Sequence, residues 1–343
     1  MTASGRRRCT LALTVVVVVG ALAGAVLRPG AGSASPPPGV PGDEGGTPLL
    51  RDVLEATGRG YVQARTALAR SQARQARLAT ELREVQDRIA ELGPEIDLLA
   101  RNAYRTGRIG PVLALLNSSS TDDFLERARG LETMALWDNH RLHELNQARE
   151  RASRAKLALD AEVTEARRQV AVMQRQKREA ERALALVGGR STGGFVAADS
   201  PVARPAPRNG DGSWPRQSCG RADPTTSGCV TPRTLHAYTE ARRAGFKRYT
   251  SCYRPGGPYE HPKGRACDFS SAPGGFGGDA HGADKTYGNN LAAFFVRNAD
   301  RLGVLYVIWY RQIWFPATGW KSYGASHGDP SSDHTNHVHL SLL

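Results

Sequence analysis

The chain has 343 residues, enough for two or three structural units, and contains 46 Lys and Arg residues against 33 Asp and Glu residues. Its formal net charge of +13 suits a protein that meets an anionic cell-wall or membrane surface. The sequence has no recognisable nucleic-acid-binding motif and its N-terminus predicts export, so we expect no nucleic acid partner.

The N-terminus has the three parts of an export signal. Residues 6–8 are basic, residues 11–27 form an uninterrupted apolar run, and residues 32–34 are small. We therefore predict a signal peptide over residues 1–34 and a secreted, extracytoplasmic protein of the cell wall. The alternative is an uncleaved membrane anchor, because an apolar run of this length is near the lower limit for crossing a bilayer.

Residues 35–48 are rich in Pro and Gly, which predicts a disordered segment, and residues 49–187 predict a long helical hairpin. Large apolar residues in the first arm recur at alternating spacings of four and three, which is typical of a coiled coil. The second arm, from Ala148 to Met173, repeats the pattern with smaller side chains, which suits antiparallel packing within one chain. A homodimeric coiled coil is the alternative. Pro94 is expected to kink the first arm. The residues of the first pattern are Leu78, Leu82, Val85, Ile89, Leu92, Ile96 and Leu99.

The turn between the arms contains a short apolar segment, residues 112–116, which we expect to form a helix. Thr121 or Asp122 is expected to cap the second arm. An exposed apolar patch usually marks a binding surface, although these residues could instead only cover the end of the hairpin. The candidate partner-binding residues are Val112, Leu113, Leu116 and Phe124.

Residues 188–213 contain many Gly and Pro residues and predict a flexible linker. Residues 214–343 mix helical and strand patterns, and we predict an α+β unit with an antiparallel sheet and helices on one face. The expected elements are a helix capped by Thr231, strands at 249–253 and around Asp268, a helix at 290–302, a hairpin at 304–315 and a strand at 337–342.

Four of the cysteines lie in the C-terminal unit. Because an exported protein meets an oxidising compartment, an even set predicts two disulfides. The pairing that closes the shortest loops joins Cys219 to Cys229 and Cys252 to Cys267. A four-cysteine zinc site is the alternative, and the lack of any Cys-x2-Cys spacing disfavours it.

Two short stretches contain candidate metal ligands. His337 and His339 alternate with apolar residues on a predicted strand, so both point to one face. Six residues separate His261 from Asp268. His261, Asp268 and His339 together supply two imidazoles and a carboxylate, an ordinary ligand set for zinc with one position left open. His337 is then a candidate for proton transfer.

With the segment Ser251-Cys252-Tyr253-Arg254-Pro255, these stretches resemble the zinc metallopeptidases of the hedgehog/D-Ala-D-Ala-peptidase fold over residues 214–343. The resemblance implies cleavage of an amide bond in the stem peptide of peptidoglycan, with Arg254 stabilising the transition state. It also implies proton exchange by His337, which His334 assists. One branch of the family has a Glu where this chain has Asn336, so the base stays open between the two histidines. Endopeptidase and carboxypeptidase activity are both left open.

Residues 49–187 resemble the coiled-coil regulatory domains of bacterial peptidoglycan hydrolases, on Ala103-Tyr104-Arg105 and on Asp123-Phe124-Leu125 followed by Leu131. This resemblance implies that the hairpin binds a membrane complex of the division machinery. The expected function is therefore an exported, zinc-dependent peptidoglycan hydrolase that the hairpin regulates. The alternative is a non-catalytic coiled-coil activator or wall-binding scaffold of another hydrolase.

Overall fold

The computed structural model describes residues 48–107, 109–257, 259–323 and 328–343, so the predicted signal peptide and nearly all of the predicted disordered segment lie outside it. Within these ranges, none of the helices combines the length and apolar character that a membrane span needs. The helices are α1 (Pro48–Thr106), α2 (Gly110–Leu116), α3 (Thr121–Leu186), α4 (Pro232–Arg243), α5 (Gly282–Arg297) and α6 (Ala299–Leu302). The strands are β1 (Arg221–Ala222), β2 (Cys229–Val230), β3 (Thr250–Ser251), β4 (Ala266–Ser270), β5 (Val304–Trp309), β6 (Gln312–Phe315), β7 (Gly319–Ser322) and β8 (His337–Leu342).

Helices α1 and α3 lie side by side and antiparallel. Arg74 of α1 pairs with Glu162 of α3, and Arg88, later in α1, pairs with Glu144, earlier in α3. The two helices therefore run in opposite directions. The residues of the predicted apolar pattern in α1 are buried or half-buried. The long helical N-terminal region is thus confirmed as an antiparallel pair within one chain, while a supercoiled coiled coil stays a prediction.

The turn between α1 and α3 contains the predicted short helix, but the residue that caps α3 differs from the prediction. Helix α2 lies where the short apolar helix is predicted, and Pro94 lies inside α1 without ending it. The cap of α3 is Ser120 and not Thr121 or Asp122. Its backbone is extended and its hydroxyl accepts a hydrogen bond of 3.1 Å from the amide of Asp123. Thr121 is already helical, so its side chain is no longer placed to bond the first turn.

The C-terminal unit contains a six-stranded antiparallel sheet in the order β3-β4-β8-β5-β6-β7. Strand β8 lies inside the sheet, between β4 and β5, and places Val338, Leu340 and Leu342 against the apolar residues of α5. Strand β3 is shorter than predicted and β7 was not predicted. The predicted helix 290–302 begins earlier, at Gly282, and is divided at Asn298 into α5 and α6. The antiparallel sheet itself is confirmed.

The other face of the sheet is also covered, which corrects the prediction of helices on one face only. Leu305, Tyr306 and Ile308 of β5 form a buried cluster with the ends of α1 and α3 that lie farthest from α2. The reason is that both helices present small and branched apolar side chains at this end, which fit against the flat face of a sheet. We call these side chains the hairpin base: Leu50, Leu54, Ala180, Ala183 and Leu184.

Residues 188–213, predicted to be a flexible linker, lie against the C-terminal unit. Ser191 forms an isolated bridge with Lys321 of β7. The side chain of Asn298 accepts a hydrogen bond from the Ala203 amide, at 2.8 Å, and donates one to the carbonyl of Pro201, at 2.9 Å. Ala203 is buried in the core beside α5, where its small side chain fits. The segment is therefore attached at several points along its length.

Both predicted disulfides are present. Cys219 joins Cys229, and Cys252 joins Cys267. The second bond connects the segment that precedes Arg254 to strand β4. It therefore fixes the two parts of the chain that flank the predicted metal ligands, and both bonds indicate an oxidising environment.

Candidate metal centre

Neighbouring strands bring the three predicted ligands together. Asp268 of β4 lies directly opposite His339 of β8, so their side chains share one face of the sheet. His261 reaches the same point from the turn that leads into β4. One ligand atom from each of the three lies within 4.8 Å of the other two, and all three side chains are buried. Among the described residues this is a group that could hold a metal ion.

The outer ring nitrogens of both histidines are held by other groups. His261 Nδ1 donates to the carbonyl of Cys252, and His339 Nε2 lies 2.8 Å from the hydroxyl of Ser341. The inner nitrogens therefore face Asp268, with His261 Nε2 3.1 Å from Oδ2 and His339 Nδ1 2.8 Å from Oδ1. A hydrogen bond to the outer nitrogen is how proteins fix the tautomer and direction of a metal-binding imidazole.

The charge at the centre suits a cation. Burial alone raises the pKa of Asp268, but its electrostatic interactions with the neighbouring His261 and His337 side chains outweigh burial and hold that pKa well below its usual range. Arg254 donates to Asp268 Oδ2 at 2.9 Å. Among the described residues His261 Nε2 has no hydrogen-bond partner although it is buried. An ionised carboxylate and an inward, unsatisfied imidazole nitrogen are the donors that a metal ion requires.

His337 lies next to the ligands without belonging to their group. Its Nε2 is 3.6 Å from Asp268 Oδ1 and, within the described chain, forms no hydrogen bond. Burial lowers the pKa of His337 to about 4, with smaller repulsive contributions from His339 and Arg254. The ring is therefore neutral near pH 7, as a proton acceptor must be.

His334 is brought to the same cluster from the loop before β8. Its ring centroid is 4.7 Å from that of His337, and its backbone is left-handed, with φ of 52°. Burial, then repulsion by His337 and His339, lowers the pKa of His334 well below its usual range. A left-handed backbone is costly for a residue other than Gly and is typical of functional sites.

Sequence reasoning missed the residues that orient these rings. Asn336 donates through its amide nitrogen to the carbonyl of Gly277, at 2.8 Å, so its Oδ1 faces Nδ1 of His337, at 2.7 Å. Nδ1 must then carry the proton, which leaves Nε2 free to accept one. Ser341 could have been found, since it stands two positions after His339 on the same strand face. Asn336 could not, because its role depends on a distant loop.

The hairpin base covers the face that carries the ligands. The ring of Tyr306 stacks on that of His339, with centroids 5.5 Å apart, and Tyr306 also belongs to the cluster formed with Leu50 and Leu54. A cavity of about 10 Å³, lined by Leu54 of α1 and by Tyr306 and Ile308 of β5, lies between the helix and this part of the sheet and is too small for a substrate. The three candidate ligands are at most 1% exposed, so the metal centre is closed in this conformation.

Helix α1 also makes polar contacts with the turn that carries His261. Arg59 of α1 pairs with Glu260 at 3.0 Å, and Glu55 of α1 pairs with Lys263 at 3.5 Å. The guanidinium of Arg51 lies 3.4 Å from the ring centroid of Tyr259. Helix α1 thus contacts both sides of a metal ligand.

The predicted partner-binding residues lie at the opposite end of the hairpin. From Leu54 to the turn after α1 the helix extends about 80 Å, at about 1.5 Å per residue. Val112, Leu113 and Leu116 are 52%, 58% and 74% exposed, and Phe124 is 41% exposed. The structure therefore does not bring this surface to the metal centre, and it leaves the apolar side chains open to solvent.

The comparisons with known proteins match one part of the chain. Residues 226–338, about a third of the sequence, are similar to the family described as VldE, C-terminal domain. The matched segment contains Arg254, His261, Asp268 and His337, and it stops one residue before His339. No curated protein and no solved structure matches the chain.

Proposed function

We propose that the C-terminal unit is a zinc-dependent peptidase that cleaves an amide bond in the stem peptide of peptidoglycan. The observation that carries the proposal is the convergence of His261, Asp268 and His339 on one buried point, with both outer ring nitrogens held. Two disulfides support export, and the basic chain suits an anionic wall. The peptidoglycan substrate follows from the resemblance to the hedgehog/D-Ala-D-Ala-peptidase fold.

Each residue has a distinct task in this proposal. A bound zinc ion supplies Lewis acidity for a carbonyl and activates a water molecule. His337 takes a proton on Nε2 and returns it to the leaving amine, while Asn336 keeps the ring in the required tautomer. Arg254 places a fixed positive charge beside the ligand carboxylate, where negative charge develops on the substrate oxygen. His334 packs against His337 and limits its rotation.

The buried centre also supports regulation by the hairpin. A substrate cannot reach His339 while Tyr306 and the hairpin base lie over it. We therefore propose that the described conformation is closed and that the hairpin must move off the sheet before cleavage. The exposed apolar end of the hairpin, about 80 Å away, is a suitable binding surface for a membrane complex that drives this movement.

Zinc content and wall cleavage test the proposed function together. Purified protein should contain close to one equivalent of zinc, and His339→Ala should lose it. Cleavage of purified peptidoglycan, measured as released peptides, should disappear on chelation and return with zinc. The cleavage assay should include Gly58→Leu, a substitution where α1 meets the sheet that is expected to displace the hairpin, because the wild-type protein is closed. Unchanged zinc content in His339→Ala would contradict the ligand assignment.

The exposed end of the hairpin gives a separate prediction. Leu113→Asp and Leu116→Asp should abolish capture of a membrane partner without altering zinc content, since both side chains are exposed and remote from the centre. The measurement is pull-down from membranes with immobilised full-length protein. Leu157→Asp, on an exposed position in α3, is the matched control. If both leucine variants capture the same membrane proteins as wild type, these residues only cover the hairpin, and the alternative of a passive end is favoured.

A further inference from the structure

The turn between β1 and β2 is hydrogen-bonded to the segment that follows β3. Strand β3 ends just before Cys252, so the next amides need partners outside the sheet. Asp223 of the turn supplies one of them, because its Oδ2 accepts from the amide of Tyr253 at 2.8 Å. The amide of Cys252 donates to the hydroxyl of Thr225 at 2.9 Å, and that hydroxyl donates to Oδ1 of Asp223 at 2.7 Å. One carboxylate thus holds two consecutive amides.

The side chain of Asp223 is fixed within this turn. It is only 6% exposed, and it also accepts from the amide of Thr225 at 2.8 Å and from the hydroxyl of Thr226 at 2.6 Å. A Cβ atom at Gly228 would lie 2.0 Å from Cδ1 of Tyr253, so the turn packs directly against that ring. Shape and hydrogen bonds together therefore fix the turn on the segment after β3.

A single peptide group connects this carboxylate to a candidate metal ligand. The amide of Tyr253 and the carbonyl of Cys252 belong to one planar trans peptide unit, in which they point in opposite directions. Asp223 accepts from the amide, while the carbonyl accepts from Nδ1 of His261. The inner nitrogen of the same ring, Nε2, faces Asp268. The contacts therefore run from carboxylate to peptide group, then to imidazole and to the metal position.

A carboxylate that bonds directly to a metal-binding imidazole fixes the direction of the ring and raises its basicity. A hydrogen bond to a charged acceptor is strong, and it polarises the group that donates it, so the opposite end of a peptide becomes a better acceptor. We propose that Asp223 is a positioning residue of the metal centre that acts on His261 through the intervening peptide group, an inference that rests on the proposed function. Arg254 is the next residue along the chain, so the same contacts place its guanidinium.

The zinc affinity of the full-length protein, measured by competition with a chelator, tests this role without peptidase activity. Thr225→Val removes the hydroxyl that joins the Cys252 amide to Asp223 and keeps the size of the side chain. Asp223→Asn turns an NH₂ group toward an N–H donor, because an amide has only one acceptor oxygen. Each should lower zinc affinity about tenfold or more, the usual effect of changing a group that orients a ligand. Thr225→Ser keeps the hydroxyl and should keep wild-type affinity.

Thr226→Val is the matched control. In the described chain the hydroxyl of Thr226 bonds to Asp223 and to the amide of Gly228, both within the turn. Thr226→Val should therefore lower the melting temperature of the metal-free protein about as much as Thr225→Val, but leave zinc affinity unchanged.

Equal losses of zinc affinity in the two valine variants would give the turn a structural role only and overturn the proposal. Wild-type affinity in both Thr225→Val and Asp223→Asn would also overturn it. In either case a wild-type protein that binds zinc and cleaves peptidoglycan leaves the proposed function intact. If the wild-type protein binds no zinc, the proposed function fails and this role of Asp223 fails with it.

Discussion

Replacing His337 with alanine is expected to leave zinc bound but to reduce turnover by roughly 10²–10⁴-fold, the usual effect of removing a general acid–base group. His337 is outside the group formed by His261, Asp268 and His339, so the ligand set stays complete. Its Nε2 is buried beside Asp268 with no hydrogen-bond partner among the described residues, while Asn336 holds the opposite nitrogen. The measurement is turnover on a soluble stem peptide, with zinc content determined on the same sample.

Two further variants make this result specific. His334→Ala should reduce turnover less, because His334 contacts the ring of His337 and bonds through Nδ1 to the carbonyl of Ser332. His281→Ala, at the exposed start of α5, should have no effect. A larger loss in His334→Ala than in His337→Ala would assign the base to His334. Full activity in both would place the base elsewhere.

Forcing the hairpin off the sheet is expected to increase peptidoglycan cleavage by about 5–150-fold. Gly58 of α1 is buried where the helix meets β5 and β6, and a Cβ atom there would lie 3.0 Å from Leu305 Cδ1 and 3.6 Å from Phe315 Cδ1. Gly58→Leu should therefore overpack this contact, which typically costs 1–3 kcal/mol and shifts a two-state equilibrium by the factor given. The rate of zinc loss to a chelator should increase with the rate of cleavage.

A glycine in the same helix provides the control. A Cβ atom at Gly93 would meet no heavy atom of the described chain within 4 Å, so Gly93→Leu should change neither cleavage nor zinc loss. Leu54→Ala removes a buried side chain of the hairpin base and should also favour opening, by an independent route. Helical content measured by circular dichroism checks that each variant is folded. If Gly58→Leu and Leu54→Ala both remain folded and cleave no faster than wild type, the hairpin is not the cover.

Patterns within short segments were sufficient to predict much of the site. The alternation of polar and apolar residues in β8 placed His337 and His339 on one face, because successive side chains of a strand point to opposite sides. Loop length selected the observed pairing of Cys252 with Cys267. Thr231 was identified as the cap of α4 from its position before Pro232, and its side chain does accept from the amide of Thr234. Each of these features depends on neighbours in sequence or on one adjacent strand.

Only the tertiary structure decided what lies over the site. Leu50 and Leu54 look like further apolar positions of a long helix, and nothing in their spacing separates contact with α3 from contact with a sheet. The orientation of Asn336, which the carbonyl of Gly277 sets, and the pairing of Arg59 with Glu260 likewise depend on segments that are distant in sequence. By itself the sequence determined the helical pair, the disulfides and the candidate ligands. The docking of α1 onto the ligand face depended on the shape of two separately formed surfaces, which local periodicity does not specify.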